Sequence, residues 1–258
     1  MIHPARLRKL PEEHPDPIIS YVGTEGAGTV TTPHAHARAQ LFHIQRGAVT
    51  VTTQAGSFVV PPERAIFIPP GVTHSSTYHT ETEVRFLYMR VDGLPALPGA
   101  PFVVQVTALL RELILAFMKA APDYVSNGPT ARLAAVLVDQ ISASRVAPLH
   151  LPMPEAERLR AALAPLVEDP AAGLSVGDLA ARASLSLRSF ERHFSSETGL
   201  TFRAWRQQAK LMKAVEWLGQ GLPVGEVSDR LGYEGPSAFV ATFKKAFGVT
   251  PGRYFAGP

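Results

Sequence analysis

The chain has 258 residues, of which 46% are hydrophobic and 18% charged, with a formal net charge of +3 and no cysteine. This is the composition of an ordinary globular protein long enough for two domains, and no apolar run reaches the ~18 to 20 residues a membrane span needs. Without thiols, disulfides and thiolate metal sites are excluded, and any metal must take nitrogen and oxygen ligands.

Residues Met1 to Pro17 are polar and punctuated by proline. They lack the apolar core of a secretory signal, so a cytoplasmic protein is expected. Residues 18–92 are rich in Val, Thr, Ile and Phe and broken by Gly and Pro. The runs AVTVTT, SFVV, AIFIPPG and VRFLYMRV read as short strands at close spacing, which predicts a small all-β barrel or sandwich.

This region carries a histidine pattern: His34, His36 and Gln40, then Gly47, with His74 later in IPPGVTH. On a strand, residues i and i+2 share a face, so His34 and His36 can both look inward and a return strand can bring His74 across. Three neutral imidazoles and an amide oxygen make a site for a divalent first-row ion such as Ni, Zn, Fe, Mn or Co. His43 and His79 are expected to lie off that site. The competing reading is a pocket whose histidines bind an organic effector or hydrogen-bond to one another.

The spacing resembles the two sequence motifs of cupins, small metal-binding β-barrels. Gly47, Pro69, Gly71 and His74 fall on that pattern. Gln40 stands where an acid is usual, Glu63 where Gly is usual, and Tyr78 where Asn is usual. Loss of the acid removes a negative charge and should weaken metal binding without forbidding it.

Residues 102–145 switch to helical texture, with Leu109, Leu113 and Phe117 marking one face of a first helix. Leu133, Leu137 and Ile141 mark a second, and Pro122 and Gly128-Pro129 lie between them. Residues 146–154 carry three prolines and almost no charge, and read as a stiff linker. The boundaries that follow are a β-barrel sensor at 1–100, a helical dimerisation segment at 101–145, a linker at 146–156 and an all-α domain at 157–258.

The last of these contains a degenerate repeat. Val176, Gly177, Asp178 and Leu179 return as Val224, Gly225, Glu226 and Val227, with Arg182 and Arg230 at the same offset. One residue is then inserted. Phe190, Phe194, Gly199, Thr201 and Trp205 match Phe239, Phe243, Gly248, Thr250 and Tyr254. Each copy predicts a short helix, a tight turn and a second helix, the pattern of a helix-turn-helix.

Ser175 and Ser186 are the expected N-caps of the first copy, with Asp178 favouring the helix start. Phe190 and Phe194 bury its second helix, which leaves Arg188, Ser189, Glu191 and Arg192 for DNA. Arginine reads guanine through O6 and N7, and Glu191 can accept from cytosine or orient Arg192. In the second copy Ser237, Val240 and Ala241 replace Arg188, Glu191 and Arg192. Ser237, Lys244 and Lys245 are therefore expected to hold phosphate rather than to read bases. Residues 200–218 predict one long helix joining the units, with Trp205, Ala209, Met212 and Val215 on its buried side. The balance of 13 Lys and Arg against 11 Asp and Glu over residues 155–258 means that placement of charge, not its amount, must carry DNA binding.

Residues ~158–255 resemble the DNA-binding domain of the AraC/XylS family of bacterial transcription regulators. The similarity runs through Gly232-Tyr233, Ser237, Phe239, Phe243, Phe247-Gly248 and Pro251. The family usually has Arg where Ala241 stands. The resemblance implies a homodimer joined through the helices of 101–145, a metal or small-molecule effector in the barrel, and double-stranded promoter DNA as partner. It also points to an exporter gene as target. The alternative weighed against it is a metal-dependent cupin enzyme with an appended DNA-binding domain.

Overall fold

A computed structural model describes residues 16–90, 97–120 and 128–254. Pro122 and all but the end of the polar N-terminus lie outside them. The described residues fall into two compact units, one within Met1–Val49 and Val60–Pro148, the other within Thr50–Val59 and Leu149–Pro258.

The first unit is built on a five-stranded sheet in the order β1-β7-β2-β5-β8. Its strands are β1 (Ile18–Glu25), β2 (Ala39–Arg46), β5 (Arg64–Ile68), β7 (Thr82–Met89) and β8 (Phe102–Gln105), and β6 (His74–Tyr78) lies in the same unit. All the sheet pairings are antiparallel. β8 corrects the sequence expectation that helical structure begins at residue 102. Its β-branched Val103 and Val104 pair with Ile66 and Ala65 of β5 before the helix starts.

Strand alternation gives the sheet two apolar faces. Ala39, Leu41, Ala65, Phe67, Leu87 and Met89 face two helices, α1 (Ala108–Lys119) and α2 (Pro129–Ala143). Thr107 caps α1, its side chain accepting from the Leu110 amide. The helix buries Leu110, Ile114 and Phe117. The expected stripe of Leu109, Leu113 and Phe117 is therefore turned by about one residue: Leu109 is exposed and Leu113 only partly covered. Apolar residues occupy both 109/113 and 110/114, so the helical period alone left the choice open, and the sheet decided it. Full burial of each such side chain contributes about 1.5–3 kcal/mol.

The second unit begins with a hairpin, β3 (Val49–Thr53) and β4 (Gly56–Val60), closed by Thr53 hydrogen-bonding across the turn. Within the expected linker, His150–Pro152 form a further strand, β9, antiparallel to β4. The proline is tolerated because β9 is an edge strand. The remaining elements are α3 (Glu157–Glu168), α4 (Val176–Arg182), α5 (Leu187–Thr198), α6 (Phe202–Gly219), α7 (Val224–Arg230), α8 (Pro236–Phe247) and α9 (Pro251–Tyr254). The Trp205 indole of α6 donates to the Pro152 carbonyl at 2.7 Å, and the Gln208 amide donates to the His150 carbonyl. His150 stacks on Phe58 at 4.2 Å. These contacts place the hairpin with the C-terminal helices, which patterning did not anticipate.

Candidate functional site

The two helical repeats form as the sequence predicts. Ser175 and Asp178 make a reciprocal capping box at the start of α4, and the Ser186 side chain caps α5 by accepting from the Ser189 amide. Leu179, Ala180 and Ala183 are buried, and Phe190 and Phe194 seat α5 with no exposure. Each unit's second helix ends on a left-handed glycine, Gly199 in one and Gly248 in the other.

Seating α5 on its phenylalanines sets its outer face. Arg188, Glu191 and Arg192 are all exposed there, at the i, i+3, i+4 spacing that places side chains side by side. Ser189 is half-buried, and its hydroxyl accepts from Ser186. Its first task is therefore the helix cap. An Arg192 guanidinium nitrogen lies 3.4 Å from His193 Nε2, a neighbour that sequence reasoning did not include.

In α8, Phe239 and Phe243 are buried and Ser237, Ala241, Lys244 and Lys245 are exposed. No side chain caps its N-terminus, where Pro236 occupies the first turn. Its first-turn amides are thus without a side-chain acceptor. Lys244 stands seven residues beyond Ser237 on the same side of the helix.

Arg206, Lys210 and Lys213 of α6 have other work. Arg206 donates to the carbonyls of Pro170, Ala172 and Leu174, tying down the loop between α3 and α4. Lys213 pairs with the buried Glu216, which also accepts from Thr50 Oγ1. Lys210 lies over the Tyr233 ring. Arg206 is matched to its partners by the turn geometry, which no periodicity reveals.

The structure brings His34, His36 and His74 together. His34 and His74 form an isolated antiparallel bridge, exchanging backbone hydrogen bonds of 3.0 and 2.9 Å. His36 lies in the loop before β2, not on a strand, so local turns rather than strand alternation aim its ring. Ring centroids are 4.4 Å apart for His34–His74, 5.1 Å for His36–His74 and 6.2 Å for His34–His36.

Each ring is held the same way. Nδ1 lies 2.9 Å from the Thr32 carbonyl in His34, 2.5 Å from the Arg38 carbonyl in His36 and 2.9 Å from the Val72 carbonyl in His74. A carbonyl can only accept, so Nδ1 carries a proton, and in the neutral ring Nε2 keeps its lone pair. Burial lowers the pKa of His36 and holds His74 down to about 4, so both are neutral near pH 7.

Gln40 Oε1 lies 3.3 Å from His36 Nε2, and the Gln40 amide donates to the Tyr88 hydroxyl. Tyr88 is a site residue that sequence reasoning missed. It stands opposite Gln40 only through the β2–β7 register, and its ring meets His36 edge-on at 5.3 Å.

Among the described residues no three His, Asp or Glu side chains already stand as a metal-ligating group. The rings would have to turn toward a common point. Their spacing nevertheless brackets the ~5 Å between centroids of imidazoles sharing one tetrahedral ion at ~2.0–2.1 Å from each nitrogen. With the His36 proton on Nδ1, His36 Nε2 and Gln40 Oε1 are two acceptors 3.3 Å apart, an arrangement that a shared cation would suit.

His43 points to the opposite side of the sheet, as expected from alternation, and is buried against α1. Glu63, which departs from the cupin pattern, has a φ of 60°, the conformation that the usual glycine adopts freely.

Two family models match the chain: an AraC-like ligand binding domain over residues 17–151 and a helix-turn-helix domain over residues 179–257. The HTH-type transcriptional regulator NimR of Escherichia coli is 33% identical over 247 residues, covering 95% of this chain and 90% of its own. The chain belongs to the AraC family of transcriptional regulators. The RCS-specific HTH-type transcriptional activator RclR of Escherichia coli is 26% identical over 81% of this chain and 66% of its own. Apo ToxT from Vibrio cholerae aligns over 94% of this chain and 98% of its own at 11% identity, with a TM-score of 0.39.

As an AraC-family member, the protein pairs a ligand-binding domain with helix-turn-helix DNA binding. Its relatives are regulators, not enzymes, and the metalloenzyme alternative falls with that. No described helix is long and apolar enough to cross a membrane.

Proposed function

We propose that this AraC-family regulator senses a divalent first-row metal ion, or a small molecule bound with it, through His34, His36, Gln40 and His74. The observation that carries this reading is the convergence of the three rings, each with Nδ1 within hydrogen-bond reach of a backbone carbonyl, which leaves Nε2 of the neutral ring as the available lone pair. A bound ion would supply positive charge that ties the His34 loop, the start of β6 and β2 to one point. An effector that favours one placement of the DNA-binding units over another shifts their population.

At the promoter, Arg188, Glu191 and Arg192 read base edges while Ser189 holds the cap. Ser237, Lys244 and Lys245 fix the register of the second unit on phosphate. The protein acts in the cytoplasm as a homodimer through α1 and α2, and an exporter gene is the target class.

The test is metal content, by plasma mass spectrometry, of untagged protein before and after loading with Ni, Zn, Fe, Mn or Co and desalting. Near-stoichiometric metal in the wild type, lost in His34→Ala/His36→Ala, is the expected result. No metal under any loading condition would overturn the metal reading and leave the barrel as a pocket for an organic effector.

A further inference from the structure

His43 is 1% exposed, and neither ring nitrogen has a hydrogen-bond partner among the described residues. A neutral imidazole carries one N–H that needs an acceptor, and buried polar groups without partners are rare enough to call for a reason. The surroundings of this ring are rich in donors. Arg85 stands directly across from it on β7, and the small Ala65 stands across from it on β5. From α1, Arg111 reaches the same place and pairs with Glu63, both about a quarter exposed. The Arg111 Nε is also buried without a partner. Arg85 makes no side-chain hydrogen bond among the described residues; the carboxylates that act on its charge are Glu83 and Glu63.

We propose that His43, Arg85 and Arg111 form a site for a small oxyanion, a phosphate or carboxylate group, beneath α1 on the helix-facing side of the five-stranded sheet. Guanidinium forks match the spacing of two oxygens, and the imidazole N–H supplies a further donor. The half-buried Arg85 and the partly exposed Arg111–Glu63 pair give the anion its approach. Glu63 competes with it for Arg111. Binding ties α1 to β7 as well as to the loop before β5. The site is separate from the His34, His36 and His74 cluster, because odd and even positions of β2 face opposite ways.

The experiment is the thermal midpoint of the full-length protein, titrated separately with inorganic phosphate and with acetate, with chloride keeping ionic strength constant. Expected is a saturable rise with one or both oxyanions, about 3 °C or more at tenfold excess over Kd. Arg85→Met and His43→Phe should abolish the rise, and Glu63→Gln should tighten the apparent Kd several-fold. If His43→Phe fails to fold, Arg85→Met carries the test, since it alters a half-buried side chain. An equal rise in the wild type and Arg85→Met would mean an adventitious ion only, or phosphate held by the DNA-binding unit, and would overturn the proposal. No rise with either oxyanion would overturn it too.

Discussion

Ser184 and Gly232 occupy the same place in the two helix-turn-helix units, two residues after Arg182 and Arg230, and have φ of 55° and 66°. A left-handed conformation costs a residue with a Cβ about 1 kcal/mol that glycine does not pay. Ser184→Gly should therefore stabilise the first unit by about 0.5–1 kcal/mol, and Gly232→Ala should destabilise the second by a similar amount. A Cβ at Gly232 would meet only the Lys210 Nζ, at 3.9 Å, so that cost is conformational rather than steric. Urea midpoints of the two variants check both signs.

His43 makes a second residue-scale prediction. Its folded pKa is pushed down to about 3, first by burial and then by Arg85 and Arg111, against an unfolded value near 6.5. Between these values the unfolded chain binds a proton that the folded chain refuses. Stability is therefore complete above pH ~6.5 and falls as pH drops toward 3, by up to ~1.4 kcal/mol per pH unit from this group. Glu63, paired with Arg111, is the carboxylate facing the cluster. In chloride buffer, His43→Phe should show a shallower loss of Tm between pH 6.5 and 4. Parallel curves would mean that His43 does not hold the ring charge off as described.

At the scale of elements, the two DNA-facing helices should fail differently. Arg192→Ala on α5 should lose about 1–3 kcal/mol of discrimination at one base pair while the fold survives. Lys244→Ala on α8 should weaken binding to all sequences alike and reduce the salt slope by about one. Footprinting and salt titrations separate these outcomes, and a sequence-selective loss in Lys244→Ala would contradict a phosphate role.

The β4–β9 pairing rests on a close approach. A Cβ at Gly56, whose φ is 137°, would stand 2.1 Å from the Leu151 carbonyl oxygen. Backbone there cannot yield cheaply, so Gly56→Ala should cost a few kcal/mol. Cleavage of residues 146–154 by protease should become faster. The same rate in both proteins would show that β9 does not depend on that approach.

For the whole molecule, α1 and α2 pack on one another and cover the sheet, yet Leu109 and Val136 stay 54% and 44% exposed. Leu109→Lys/Val136→Lys should turn a dimer into a folded monomer in sedimentation equilibrium. A wild type that is monomeric at all concentrations would remove the dimer from the proposed function.

Much of this protein is written locally. The capping serines, the phenylalanine pairs at i and i+4 and the glycines ending α5 and α8 act within a few residues, so the repeat and its exposed arginines could be read from the chain alone. The histidine pattern was legible because its members recur at short spacing and on a known motif. What only the tertiary structure decided depends on distant partners. The face of α1 was set by the sheet it covers, Tyr88 met Gln40 through strand register, and Arg206 found three carbonyls in another loop. His150–Pro152 became a strand because β4 offered an edge. His43 became an unpartnered buried imidazole because β7 and α1 set two arginines beside it. Hydrogen-bond partners far apart in the chain leave no periodic trace in it, and for that reason they had to be seen in three dimensions.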